Sequence, residues 1–207
     1  MQESSVVRVL VAVVLFLVGA ACTKARQAVA IETVSATVPG AWVPLAPERL
    51  TKLRDSAMSS DPSVDVSMVG RKPPDEPMPW MYLQRAEMRP QVVVPLNVGT
   101  LLERTASELK TTMTDSGLSV VSATTTVVGD THELCVVAKS VPKSEKGAPV
   151  LSHTCMRLWV SEKTRKVHTA SVVCLSLADE PAECEKIIAS RTHEPGAALS
   201  MASLYEP

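Results

Sequence analysis

Apolar and polar residues alternate along the second half of the chain with a period of two, the period of a β-strand. In THELCVVAKS (131–140), His132, Leu134, Val136 and Ala138 point one way, and Glu133, Cys135, Val137 and Lys139 point the other. In LSHTCMRLWV (151–160), Thr154, Met156, Leu158 and Val160 share one face, and His153, Cys155, Arg157 and Trp159 share its opposite. LSVVSATTTVV (118–128) before them and VHTASVVCLSL (167–177) after them are rich in β-branched residues and read as strands. Gly129-Asp130 and SEKTRK (161–166) supply turns, so the four strands form a meander.

The first half mixes both periods. Val34, Ala36 and Val38 alternate before a Pro39-Gly40 turn. PERLTKLRDSAM (47–58) places Leu50, Leu53 and Ala57 on one side of a helix, with Pro47 in its first turn. SVDVSMVG (63–70) reads as a strand with Val64, Val66 and Met68 inward. RKPPDEPMP (71–79) holds four prolines in nine residues and reads as a stiff loop, before a strand at PWMYLQRAEM (79–88). RPQVVVPLNVG (89–99) is fenced by prolines into a loop or an edge strand. Thr100 and Glu103 form a capping box; Leu102, Ala106, Leu109 and Met113 make an apolar stripe, and Gly117 ends that helix. DEPAECEKIIAS (179–190) is a last helix, with acids in its first turn and Cys184, Ile187 and Ile188 on one face. Residues 191–207 show no clear period and read as a loose tail.

The N-terminus has a different pattern. Val9 to Ala21 is apolar without a charge. A membrane-spanning helix needs about 20 such residues, whereas a signal-peptide h-region needs roughly 7–15. Gly19, Ala20 and Ala21 are small, as a signal peptidase pocket requires, and Cys22 follows at once. This arrangement resembles the lipobox of bacterial lipoproteins, with Gly19 where that family usually has Leu. The resemblance implies cleavage after residue 21 and acylation of Cys22. A cleaved, unlipidated secreted protein and an uncleaved N-terminal anchor are the alternatives. Residues 1–21 are then a signal peptide, 22–32 a tether, and 33–190 a single domain.

Setting Cys22 aside changes the cysteine arithmetic from five, an odd count, to an even set of four. In an oxidising compartment an even set reads as disulfides. Laying the 131–140 and 151–160 strands antiparallel with Cys135 opposite Cys155 also sets Glu133 opposite Arg157 and Leu134 opposite Met156. That register predicts Cys135–Cys155 and leaves Cys174–Cys184, which staples the last helix to the strand before it. Zinc fits less well. The set His132, His153, Cys135 and Cys155 contains no C-x-x-C, and His132 faces away from Cys135.

The order is strand, helix, two strands, helix, meander, helix: an α+β fold with helices packed on an antiparallel sheet. Element order, the early turn Pro39-Gly40-x-Trp42 and the meander leading into a final helix resemble the PsbP-like α/β/α sandwich over about residues 33–190. That family includes an extrinsic subunit of photosystem II, a nuclear import factor that binds the GTPase Ran, and small bacterial lipoproteins of the DcrB kind. The resemblance implies no shared catalytic residues and a role in binding other proteins.

Composition narrows function further. The formal net charge is -1 and aromatics are 3%, which disfavours a nucleic-acid partner and stacking platforms. There is no G-x-S-x-G, S-x-x-K, H-E-x-x-H, P-loop or dinucleotide fingerprint. His132, His153, His168 and His193 are scattered, and His168 falls near Trp159 across the SEKTRK hairpin. The sequence therefore reads as a membrane-tethered exported lipoprotein of the bacterial cell envelope, acting without cofactor as a non-enzymatic binding or assembly factor for another protein. An exported hydrolase with a dispersed site is the alternative. A docking surface is expected at RKPPDEPMPWMY (71–82), through Arg71, Lys72, Met78, Trp80 and Tyr82. Trp80 and Tyr82 share a strand face, so that spacing equally suits core residues.

Overall fold

Alternation builds one large sheet. The computed structural model describes residues 25–31, 33–58, 65–88, 111, 118–128, 131–140, 147–160 and 167–193. Among them β1 is Arg26–Ile31, β2 Val34–Pro39, β3 Val43–Pro44, α1 Pro47–Met58, β4 Asp65–Lys72 and β5 Trp80–Met88. Then come β6 Leu118–Val128, β7 Thr131–Ser140, β8 Val150–Val160, β9 Val167–Leu177, α2 Ala182–Ala189 and β10 Thr192–His193. The large sheet has the order β3-β4-β5-β9-β8-β7-β6, and a small one has the order β1-β2-β10. The paired strands in both are antiparallel.

The meander has the expected register. Cys135 lies opposite Cys155, Glu133 opposite Arg157 and Leu134 opposite Met156. The disulfides are Cys135–Cys155 and Cys174–Cys184. Of the helix expected over 100–117 only Thr111 is described, and it is helical; the proline-fenced segment before it and Cys22 lie outside the described residues.

The helices Pro47–Met58 and Ala182–Ala189 take opposite faces of the large sheet. Tyr82 is opposite Gly70, and this face is covered by Leu45, just before α1, and by Arg49 of α1. Met81 is opposite Cys174 on the other face, where the bridge to Cys184 holds α2. The small sheet packs beside α2 on that same face. Val34, Ala36, Val38 and Trp42 form a common core there with Met81, Leu83, Val172, Cys174, Cys184 and Ile187. The architecture is α+β, a helix-flanked antiparallel sheet.

Three boundaries differ from expectation. The tether over 22–32 contains β1, whose Val29 is 3% exposed in the core. The loose tail begins later than residue 191, because Thr192 and His193 pair with Ser35 and Val34. Local alternation in these short pieces is too brief to announce a strand, and pairing with β2 supplies what periodicity does not. Arg71 and Lys72 belong to β4 rather than to the proline loop, because β3 and β5 pair with them or beside them.

The Pro39-Gly40 turn is closed by a hydrogen bond from the Trp42 N–H to the Pro39 carbonyl at 3.0 Å. Gly70 allows a close approach of another kind. A Cβ there would lie 2.3 Å from Leu45 Cδ1 and 2.9 Å from the Met81 carbonyl oxygen. Gly70→Ala is therefore expected to destabilise the fold by about 2 kcal/mol, the cost of overpacking a filled interior. A chemical denaturation midpoint equal to that of the wild type refutes the close contact.

Candidate functional site

The loop expected to dock a partner turns its chemistry inward. Trp80 is 7% exposed, because the Arg49 guanidinium of α1 sits 4.8 Å over its ring. Such a cation over an aromatic face is attracted by the ring quadrupole. Tyr82 stacks on Trp80 with centroids 5.9 Å apart, and burial pushes its hydroxyl pKa up. Lys72 Nζ donates to the carbonyls of Pro73 and Pro74, each at 2.9 Å. Arg71 donates to the Gly70 carbonyl at 3.1 Å. Met78 is half-buried, and the outer surface is left to Pro74, Asp75, Glu76 and Pro77. Trp80 thus packs between β5 and Arg49 of α1, and Tyr82, half-buried, stacks beside it. The Lys72 side chain braces the loop backbone, and that of Arg71 bonds back to its own strand.

A second polar group assembles beneath the small sheet. Glu133 on β7 is 7% exposed. Arg157 on β8 donates its Nε–H to Glu133 Oε2 at 2.7 Å. Arg191, directly after α2, donates Nε–H to the same oxygen at 3.2 Å and a second N–H to Oε1. It also donates to the Ile188 carbonyl at 2.8 Å. Burial by itself raises the Glu133 pKa, but the hydrogen bonds and charges of Arg191 and Arg157 outweigh it and hold the carboxyl below its ordinary value. Glu133 therefore stays an anion and has no proton to donate near neutrality.

His193 closes this cluster edge-on to Trp159, with centroids 4.8 Å apart. Burial, and then the Arg157 charge, push it down to about 4, with Glu133 acting in the opposite sense. It is a neutral and weak base at neutral pH. His168 stacks on the same Trp159 at 5.3 Å, and its Nδ1 lies 3.2 Å from an Arg85 nitrogen and 3.8 Å from a Glu87 oxygen. The cleft between Val34, Glu133, Arg157, Arg191 and His193 measures about 190 Å³ including its open mouth. That is below the roughly 300–1,000 Å³ of typical small-molecule pockets.

A histidine next to a nucleophile is also missing in the obvious place. His153 lies directly opposite Cys174 in the β8–β9 register, but that sulfur is bonded to Cys184. Burial pushes His153 down, while the Glu185 charge acts the other way. No group of three or more His, Cys, Asp and Glu among the described residues is arranged to hold a metal. No helix among them is long and apolar enough to cross a membrane.

The Glu133–Arg157 half of the cluster is legible as a cross-strand charge pair. Arg191 and His193 are not, because they sit in a stretch without periodicity. The only local signal is that both follow α2 at alternate positions, where a strand would turn them to one side.

No protein-family model matches the chain, and no curated protein matches it. Solved structures do. The solution structure of the cyanobacterial PsbP of Synechocystis sp. PCC 6803 superposes with a TM-score of 0.50 at 11% identity, covering 85% of this chain and 96% of that one. LpqN of Mycobacterium tuberculosis, described as involved in cell envelope biogenesis, matches with a TM-score of 0.48 at 14% identity, covering 83% and 91%. The Ran-binding protein Mog1p of Saccharomyces cerevisiae matches with a TM-score of 0.40 at 10% identity, covering 89% and 100%. At these identities the likeness concerns the fold, and the fold is PsbP-like.

Proposed function

We propose that this protein is an exported bacterial lipoprotein, tethered to a membrane of the cell envelope through Cys22, that binds or helps to assemble another protein without catalysing a reaction. The observation that carries the tether is the uncharged run Val9 to Ala21 ending in Gly19-Ala20-Ala21-Cys22. Two disulfides suit an exported chain, since such bonds persist in oxidising compartments. Two or more acyl chains hold a protein durably, where one gives only a marginal hold. The non-catalytic reading is supported by how the titratable groups are used. Glu133 is clamped between two arginines, and the cysteine opposite His153 is bridged. Nothing among the described residues favours the hydrolase over this reading.

Cys22→Ser is expected to abolish labelling by a fatty-acid analogue and to move the protein from the membrane to the soluble fraction. Absence of label on the wild type refutes the lipoprotein. Affinity capture of the labelled protein from native membranes then tests the second half. Reproducible recovery of one protein, lost on unfolding the bait, is the expected result. Recovery of none, with turnover of a chromogenic ester or peptide by the pure protein, refutes it.

A further inference from the structure

The two edges of the large sheet are treated differently. One edge is β3, only two residues long, Val43–Pro44. A short strand with a proline, which has no N–H to offer, is a poor template for pairing. The other edge is β6, eleven residues long. Its sequence LSVVSATTTVV has no charge, no proline and no glycine, and seven of its eleven residues are β-branched. Residues 121–127 are exposed in an unbroken row, with Val121 and Val127 each 61% exposed. β7 pairs with one side of this strand, and no described strand pairs with the other.

One protective device is present. A bulge interrupts the β6–β7 register between Val120 and Ser122. It twists the start of the strand, and the ladder from Ser122 to Val128 then runs without interruption. That regular part carries Thr124-Thr125-Thr126 at its centre. An exposed, uncharged, β-branched edge of this kind is a pairing surface.

We infer that β6 is a self-association edge, where two copies of this chain pair antiparallel across a two-fold axis at Thr125 to form one continuous sheet. The choice of a second copy rests on charge and on self-complementarity. A two-fold axis sets the strand against its own reversed sequence, so any charged side chain would meet its symmetry mate's neighbourhood. β6 has none. The axis at Thr125 places Thr124 opposite Thr126 of the second copy and Ala123 opposite Val127. Thr–Thr pairs across strands are favourable. A two-fold axis normal to the sheet keeps like faces together, so both α2 layers stay on one side and do not collide with the new strand pair.

The full-length protein in a density-matched non-ionic detergent is followed by sedimentation equilibrium. The wild type moves from one chain to two as concentration rises. Thr124→Lys with Thr126→Lys sets lysines directly opposite one another and is expected to raise the dissociation constant at least about tenfold. Its far-UV circular dichroism and both disulfides stay as in the wild type. Thr125→Cys, on the axis, crosslinks two copies under mild oxidation, and Ser119→Cys does not. If the lysine variant misfolds, hydrogen exchange on the wild type decides. The amides of residues 122–128 gain protection with concentration. A single chain at every concentration overturns the inference, which also covers the case of a strand from another protein occupying β6. So do equal dimerisation of a folded lysine variant, growth beyond two chains, or equal crosslinking at residues 119 and 125.

Discussion

Reducing both disulfides unfolds this protein under conditions where the oxidised form is stable. The bridges close segments with sequence separations of 20 and 10 residues. Constraining the unfolded chain by loops of this size stabilises by about 3 kcal/mol each. Together that is about 6 kcal/mol, against a total of roughly 5–15 for a domain. The two do not break together. Cys174 and Cys184 are both fully buried, whereas Cys135 is half-exposed beside a nearly buried Cys155. A reductant reaches a disulfide by direct attack on sulfur, so access sets the order. Timed alkylation with peptide mapping should show Cys135 and Cys155 modified first, with the sheet intact. Modification of Cys174 and Cys184 then coincides with loss of far-UV circular dichroism. The same melting curve with and without reductant contradicts this account of the stability. Early modification of Cys184 contradicts the burial of α2 against β9.

Replacing Glu133 by Gln is expected to cost about 3 kcal/mol, because it leaves two arginines with no buried counter-charge. The substitution keeps the size of the side chain, so the loss is electrostatic. Arg191 follows α2 and leads into β10, so its release also loosens Thr192 and His193 from β2. Acid titration separates this contribution from its neighbours. The folded pKa of Glu133 lies below its ordinary value of 4.5. Its stabilisation is present above the unfolded pKa and is lost as pH falls through the folded one. His193 is shifted in the same direction, from 6.5 to about 4. Between those values the unfolded chain takes up a proton that the folded chain refuses, so stability also falls as pH drops through that window. The wild type should lose stability in two stages, first with His193 and His153, which burial shifts the same way, and then with the glutamate. Glu133→Gln should remove the second stage and keep the first. Denaturant midpoints across that range measure both. An unchanged acid limb in the variant shows that the Arg157 and Arg191 contacts do not stabilise the fold.

The period-two pattern by itself determined the meander. β7 and β8 alternate, β6 and β9 on either side of them are rich in β-branched residues, and turn residues mark the ends. A disulfide, a charge pair and an apolar pair then agreed on one register, and a slip by one residue would have broken all three. The helix at residues 47–58 was equally local, since Leu50 and Leu53 share one side of it. Tertiary structure decided three other things. β10 is two residues long and pairs with β2 across a sequence separation of 157, through a Ser35–Thr192 hydroxyl contact at 2.6 Å. Nothing in two residues announces a strand; only a strand already present gives them a partner. Arg191 found Glu133 by the same closure. Trp80 and Tyr82 share a face that suits surface or core residues alike, and Arg49 brought over the ring is what buries Trp80. Periodicity tells which residues share a face. What covers that face depends on chain brought from far away, and a local pattern carries no record of it.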